Sequence, residues 1–292
     1  MTEMNQQPPP SGSSMVRFWE RIPIAVRAIV VGILVFAIVG TVALNLIVIL
    51  IPTPWSGVAI AIVLWAYLRY FSGHWWPKAT SESRRVRFRA TKLPMRVWKW
   101  SLIAALLAAV VMVSSAMVRC RIIDCTAVAP AAVIDFAVLP IWQIWLFILG
   151  ASAVSGIAEE VGFRGYMQVP LEGRYGPAVG ITITSIVFVV FHLNQAWAAG
   201  VGILVILFAG AAMWGVMAVT SGSLIPAMIS HIVVDIFYFS HQWKDFTGTY
   251  DKRPIGEAGV DTHFIVWLVG LVASVVLFVF AARKTLAARR ET

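Results

Sequence analysis

Long apolar stretches separated by short polar segments make up most of the chain after residue 20. They predict helices at roughly 26–51, 57–71, 100–118, a long one within 141–170, 177–196, 201–219, 224–240 and 263–282. Apolar runs of about 17–25 residues can cross a hydrocarbon core of roughly 30 Å as helices. Because barrel strands would show short alternating segments instead, the pattern predicts an all-α, polytopic membrane bundle of about eight transmembrane helices.

The composition agrees with a membrane location. The chain is 60% hydrophobic and 13% charged, whereas a soluble domain has about 45–50% apolar and about 25% charged residues. Residues 1–20 are polar and rich in Pro and Ser, so we expect a disordered tail and not a signal peptide. Residues 21–292 are predicted to form a single transmembrane domain, with the catalytic core at about 141–240.

The net charge of +9 comes largely from basic residues beside apolar runs, above all in residues 78–99 and at the C-terminus. Such clusters favour the cytoplasmic side, so both termini are predicted to be cytoplasmic and loops 119–140 and 241–262 to lie outside. Orientation is favoured over a specific anionic-lipid site as the role of segment 78–99. We expect no nucleic-acid partner.

Two cysteines, Cys120 and Cys125, fall in the predicted outer loop. An oxidising environment would allow a disulfide between them, and two unpaired thiols are the alternative. Metal binding is less favoured there because the nearby sequence has no His or further Cys.

Three apolar segments contain ionisable side chains, which are costly in a membrane unless they face a protein-lined cavity and have partners. Glu160 and Arg164 are four residues apart and can form an ion pair on one helix face. Glu159 is rotated about 100° away and has Phe163 at i+4, so it is predicted to be free. In a later segment, His231 and Asp235 lie one turn apart, so the carboxylate can orient the imidazole.

These side chains, together with His192, suggest two ways to hydrolyse an amide. Glu159, His192 and His231 can hold a divalent metal such as Zn²⁺ and lower the pKa of a bound water. Alternatively, Glu159 with one histidine can act as general base while the other histidine and Asp235 stabilise the oxyanion. Taken singly, the two glutamates can cap a cytoplasmic helix end, His192 can be a core histidine, and Asp235 can serve a proton relay.

The three segments read "EEVGFRG", "FVVFH" and "HIVVD". They resemble, in order, the EExxxR, FxxxH and HxxxN/D motifs of the CAAX prenyl-protease and bacteriocin-immunity (CPBP, or Abi) family of intramembrane proteases. The resemblance implies that Glu159 is catalytic, that Glu160 and Arg164 support it, and that His192 activates water or holds metal. It makes His231 and Asp235 the second histidine site and its companion, and Phe188 a packing residue. Either a metal-dependent or a metal-free glutamate mechanism is consistent with it.

The depth of these residues gives a further prediction. If the fourth helix began at Ile141 outside and ended at the acids, Glu159 would lie about 27 Å along it, far from His192. We therefore expect that helix to begin around residue 145 and to continue past Arg164 toward Pro170. The stretch "PAAVIDFAVLP" would then be a loop or an interfacial segment.

The resemblance implies an intramembrane endopeptidase that acts on a membrane-associated peptide or protein, surrounded by membrane lipid, in the plasma membrane. The composition, rich in Ala, Val, Arg and Trp, suggests a bacterial host. A non-catalytic scaffold or a bacteriocin immunity factor with the same fold is the alternative. A proton- or ion-coupled transporter ranks last, because no inverted repeat is evident in the sequence.

Overall fold

The computed structural model describes residues 14–89, 91–123, 139–195, 200–243, 251 and 253–292. Its helices are α1 (Ser14–Arg21), α2 (Ile24–Leu50), α3 (Trp55–Phe71), α4 (Ser81–Phe88), α5 (Met95–Ile122), α6 (Ile141–Tyr175), α7 (Pro177–Phe191), α8 (Gly202–Ser221), α9 (Ile225–Trp243), α10 (Ile255–Ala258) and α11 (Thr262–Arg290).

The predicted all-α membrane bundle is confirmed. Within the described residues, five helices (α2, α5, α6, α8 and α11) are long and apolar enough to cross a membrane. The other three predicted helices, α3, α7 and α9, are shorter apolar helices. Helix α7 ends at Phe191, earlier than predicted, and His192 is its C-terminal capping residue.

Helix α6 lies at the centre of the bundle, in contact with α2 on one side and α9 on another. Glycines allow both contacts to be close. A Cβ on Gly162 would lie 2.7 Å from the carbonyl oxygen of Gly32, and one on Gly156 would lie 2.9 Å from the backbone nitrogen of Ile232. The small residues thus bring the backbones of three helices together around the middle of α6.

Helix α6 continues past the two glutamates, as predicted, and runs beyond Pro170 to Tyr175. Its predicted start near residue 145 is wrong: extended Pro140 precedes the helix, which begins at Ile141. At 1.5 Å per residue, α6 is about 52 Å long and Glu159 lies near its middle. Glu159 therefore lies near the middle of α6 because the helix continues to Tyr175, and not because the helix begins later than Ile141.

From Glu160 to Met167, α6 is a π-helix, and all eight residues of this segment are buried. π-Helical turns are rare and are frequently found at functional sites, because they change the direction of the side chains relative to a regular α-helix. The "EEVGFRG" motif thus lies at the transition from α- to π-helix.

Two predictions concern the ends of segments. The disordered tail predicted for residues 1–20 stays a prediction, although residues 14–20 form most of α1, an amphipathic helix. Residues 1–13 lie outside the described part of the chain. The Cys120–Cys125 disulfide stays a prediction, since Cys125 is also outside it, as is most of the stretch predicted to be a loop before Pro140.

Candidate active site

The predicted ion pair between Glu160 and Arg164 is present and completely buried. Arg164 Nη1 donates to Glu160 Oε1 at 2.9 Å, and Arg164 Nη2 donates to the carbonyl oxygen of Ala211 at 3.0 Å. The guanidinium also lies over the rings of Phe188, at 4.9 Å, and Trp214, at 5.3 Å. Hydrogen bonds and aromatic faces together offset the desolvation of a charge buried in the bundle.

His231 contacts the same glutamate from helix α9. Its Nδ1 lies 2.9 Å from Glu160 Oε1, and its ring stacks on Trp214 with 3.8 Å between centroids. In an ion pair with Arg164 a carboxylate accepts hydrogen bonds, so Nδ1 is assigned as the donor to Glu160 Oε1. The bond fixes the orientation of the imidazole and turns Nε2 toward two other carboxylates.

Those carboxylates belong to Glu159 and Asp235. Nε2 of His231 lies 3.8 Å from Glu159 Oε2 and 3.7 Å from Asp235 Oδ2. Both oxygens are buried, and neither has a hydrogen-bond partner among the residues that the structure describes. The predicted proximity of His231 and Asp235 is thus observed, and Glu159 joins them.

Glu159 is held in place by a neighbour on its own helix. The hydroxyl of Ser155 donates to Glu159 Oε1 at 3.0 Å. The prediction that Glu159 has no partner is therefore wrong for Oε1. Phe163, one turn later, offers no hydrogen bond, but Ser155, one turn earlier, does. One oxygen is oriented by Ser155, and the other faces His231.

His192 is placed differently from the other predicted residues. Its Nδ1 lies 2.7 Å from the carbonyl oxygen of Phe188, and its ring stacks on the Phe188 ring at 4.3 Å. Phe188 also makes an edge contact with His231, with 6.2 Å between centroids. Phe188 therefore packs between the two histidines, and the structure does not bring His192 into an ion pair with the described acids.

Sequence reasoning missed three residues that build this site: Ser155, Trp214 and Gln168. Gln168 Nε2 donates to the carbonyl oxygen of Gly215 at 3.2 Å, one helical turn from the Ala211 carbonyl that binds Arg164. The carbonyls of Ala211 and Gly215 on α8 thus both accept hydrogen bonds from polar side chains of α6. Of the three, only Ser155 could have been found from the sequence, because it lies four residues before Glu159 on the same helix.

A metal would need at least three converging ligands in such a site. No group of three His, Cys, Asp or Glu side chains within the described ranges is arranged to hold one. The predicted set of Glu159, His192 and His231 is not gathered, since His192 contacts Phe188 instead. The Zn²⁺ site stays a prediction, which the chelator and metal measurement below test.

The fold and the site together define a helical membrane protein with a buried cluster of carboxylates and one histidine at the junction of α6 and α9. Residues 140–237 match the protein family described as type II CAAX prenyl endopeptidase Rce1-like. All three motifs lie within this segment, so the resemblance to the CPBP family is confirmed over residues 140–237. No curated protein and no solved structure matches the chain. The family match supports a CAAX protease class.

Proposed function

We propose that the protein is an intramembrane endopeptidase in which Glu159 activates the water that attacks a peptide bond. The observation that carries the proposal is the position of Glu159 Oε2, buried without a hydrogen-bond partner among the described residues and 3.8 Å from His231 Nε2. The match to the Rce1-like family over this segment supports the same class of reaction.

The gaps around His231 Nε2 suit a single bridging water. Distances of 3.7 and 3.8 Å are too long for direct hydrogen bonds, and polar groups at such separations are commonly bridged by water. A water bound between Glu159, His231 and Asp235 would be oriented by all three. The Glu160–Arg164 pair would hold the imidazole of His231 in position throughout.

The chemistry then requires only side chains of this chain. Glu159 takes a proton from the water while the water oxygen bonds to the scissile carbonyl carbon. When the tetrahedral intermediate collapses, the C–N bond breaks and Glu159 gives its proton to the leaving amine. Glu160 and Arg164 are positioning residues in this scheme, because they act through His231 and do not touch the substrate.

His192 has a narrower role in this proposal. Its Nδ1–H is directed to the carbonyl of Phe188, which can only accept a hydrogen bond. Nε2 can therefore donate to a substrate oxyanion only when the imidazole is protonated. We therefore propose His192 as a contact for the substrate oxyanion and assign the general base role to Glu159.

The substrate we propose is a peptide or the tail of a membrane protein, cleaved near the cytoplasmic leaflet of a bacterial plasma membrane. The five long apolar helices support a membrane location. The composition of the chain, rich in Ala, Val, Arg and Trp, is typical of a high-GC bacterium.

The purified protein, reconstituted in liposomes, tests this function. Two quenched fluorescent peptides serve as probes, identical except that one carries a farnesylated cysteine three residues before its C-terminus. We expect the wild type to cleave at least one peptide and Glu159→Gln to cleave neither. Equal turnover by the two proteins would rule out Glu159 as the base. Repeating the assay with a chelator and measuring bound metal separates the metal-free scheme from the Zn²⁺ prediction.

A further inference from the structure

Most arginines of the basic segment 78–99 have polar partners. Arg84 donates to the carbonyls of Tyr70, Trp75 and Pro77 and stacks on the Tyr70 ring. Three further arginines form ion pairs with glutamates: Arg85–Glu82, Arg89–Glu172 and Arg96–Glu291. These arginines hold the segment against the bundle or pair at its surface.

Arg87 differs from these neighbours. Its guanidinium lies 5.6 Å from the centre of the Tyr166 ring, and within the described chain it has no ion pair and no side-chain hydrogen bond. Its backbone is fixed against α6, since a Cβ on Gly165 would lie 2.9 Å from the Arg87 carbonyl oxygen. A half-buried cation is thus held in place without a counter-charge from the described residues.

A second cation of the same kind faces it from α2. Arg27 lies in the first turn of the helix, and its Nε is buried without a hydrogen-bond partner in the described ranges. Arg27 and Arg87 line one cavity of about 140 Å³ together with Tyr166. Tyr166 is 5% exposed, and its hydroxyl likewise has no partner among the residues described.

The cavity therefore presents three groups that can donate hydrogen bonds and, among its described lining residues, no acid. Two guanidinium groups and a hydroxyl match the oxygens of a phosphate, which guanidinium binds in a bidentate manner. A water molecule occupies about 30 Å³ of liquid, so the cavity has room for a phosphate group but not for a whole lipid. An anion would also offset the cost of two unpaired cations.

The remaining wall of the cavity is apolar and points to a lipid as the source of the phosphate. Ile24 and Val31 of α2 line it, together with Trp19 of α1. Helix α1 exposes Phe18 and Trp19, which are 67% and 39% accessible. Aromatic side chains on a short amphipathic helix are typical of the membrane interface, where lipid phosphates lie.

We propose that Arg27, Arg87 and Tyr166 form a binding site for the phosphate headgroup of an anionic membrane phospholipid. The acyl chains would remain in the bilayer beside α2, whose Val26, Val30 and Leu34 are exposed. The site is independent of the proposed catalysis. Of its three residues, Tyr166 lies on the π-helical segment, two residues from Arg164.

The full-length protein in lipid nanodiscs tests the site. Discs of phosphatidylcholine alone are compared with discs that contain phosphatidylglycerol, and lipid retained by the protein is measured by native mass spectrometry. We expect the wild type to retain phosphatidylglycerol and the Arg27→Gln and Arg87→Gln variants to lose roughly tenfold in retention, as for a lost charge-assisted hydrogen bond. Arg85→Gln is the matched control, because Arg85 is on the same helix and pairs with exposed Glu82.

Two further arms identify the source of the anion. Tyr166→Phe removes one hydroxyl without changing the packing, so a folded variant with reduced retention supports the site even if an arginine variant does not fold. In detergent, inorganic phosphate should not raise the melting temperature of the wild type as phosphatidylglycerol does. Equal stabilisation by phosphate would overturn the lipid assignment. Unchanged retention in all three variants would overturn the site.

Discussion

At the scale of single residues, the two adjacent glutamates of "EEVGFRG" have different surroundings although they are chemically identical. Glu160 lies between Arg164 and His231, and its carboxylate accepts hydrogen bonds from both. Glu159 accepts from Ser155 with one oxygen and directs the other at His231 Nε2. The pair therefore divides into a carboxylate that orients a histidine and a carboxylate that remains available for a proton transfer.

Replacing Glu159 with Gln should lower kcat by about 10²–10⁴-fold, the usual contribution of a general base. Size and the Ser155 hydrogen bond to Oε1 can be preserved, so the melting temperature should change little. Steady-state kinetics with the cleavable peptide checks this. Ser155→Ala is the control: it keeps the Glu159 carboxylate but removes the hydrogen bond that orients it, so kcat should fall less. A loss as large as that of Glu159→Gln would contradict the assigned roles.

Removing Arg164 alone should destabilise the protein strongly, by about 3–5 kcal/mol, because Glu160 would be left as a buried unpaired charge. Thermal unfolding in detergent measures the effect. The double variant Glu160→Gln with Arg164→Met removes both charges and should be more stable than Arg164→Ala. If the double variant were the less stable of the two, the buried pair would not be the source of the effect.

At the scale of helices, the site depends on how closely α6 approaches α9. Gly156 faces Ile232, and the backbone of α9 lies where a Cβ would be. Glu159 and Glu160 follow on α6, and His231 and Asp235 belong to the same part of α9. Small residues thus set the distance between the carboxylates and the histidine.

Gly156→Ala should therefore lower kcat/KM by roughly 10²-fold, the effect of displacing a catalytic group by about 1 Å. The reason is that the added Cβ meets backbone, which cannot rotate away, and the two helices must separate. Gly173→Ala is the matched control on the same helix, since nothing lies within 4 Å of its added Cβ. Comparable losses of activity in both variants would show that the α6–α9 contact is not the cause.

At the scale of the whole molecule, the distribution of charge predicts the orientation. Segment 78–99 and the C-terminal end of α11 carry most of the basic residues, which favours cytoplasmic termini. In a variant with Cys120 and Cys125 replaced by Ala, a cysteine at Gly256 should react with a membrane-impermeant maleimide in intact cells. A cysteine at Thr292 should react only after the cells are permeabilised. The reverse pattern would show the opposite topology.

The sequence by itself determined the helical membrane bundle, because apolar runs of transmembrane length have few other stable structures in lipid. It also determined contacts within one helix, such as Glu160–Arg164 and His231–Asp235, because a helix fixes which residues lie one turn apart. The continuation of α6 beyond Arg164 followed from the same geometry.

Only the tertiary structure decided which helices meet and which side chains therefore share a site. His231 joins Glu160 because Gly156 lets α9 approach, while His192 stacks on Phe188 and stays apart from the acids. Arg27 and Arg87, which are distant in the chain, line one cavity because α2 and α4 both pack against α6. Such contacts depend on the shape of packed surfaces between helices, and the periodicity of a single helix contains no information about the helix opposite.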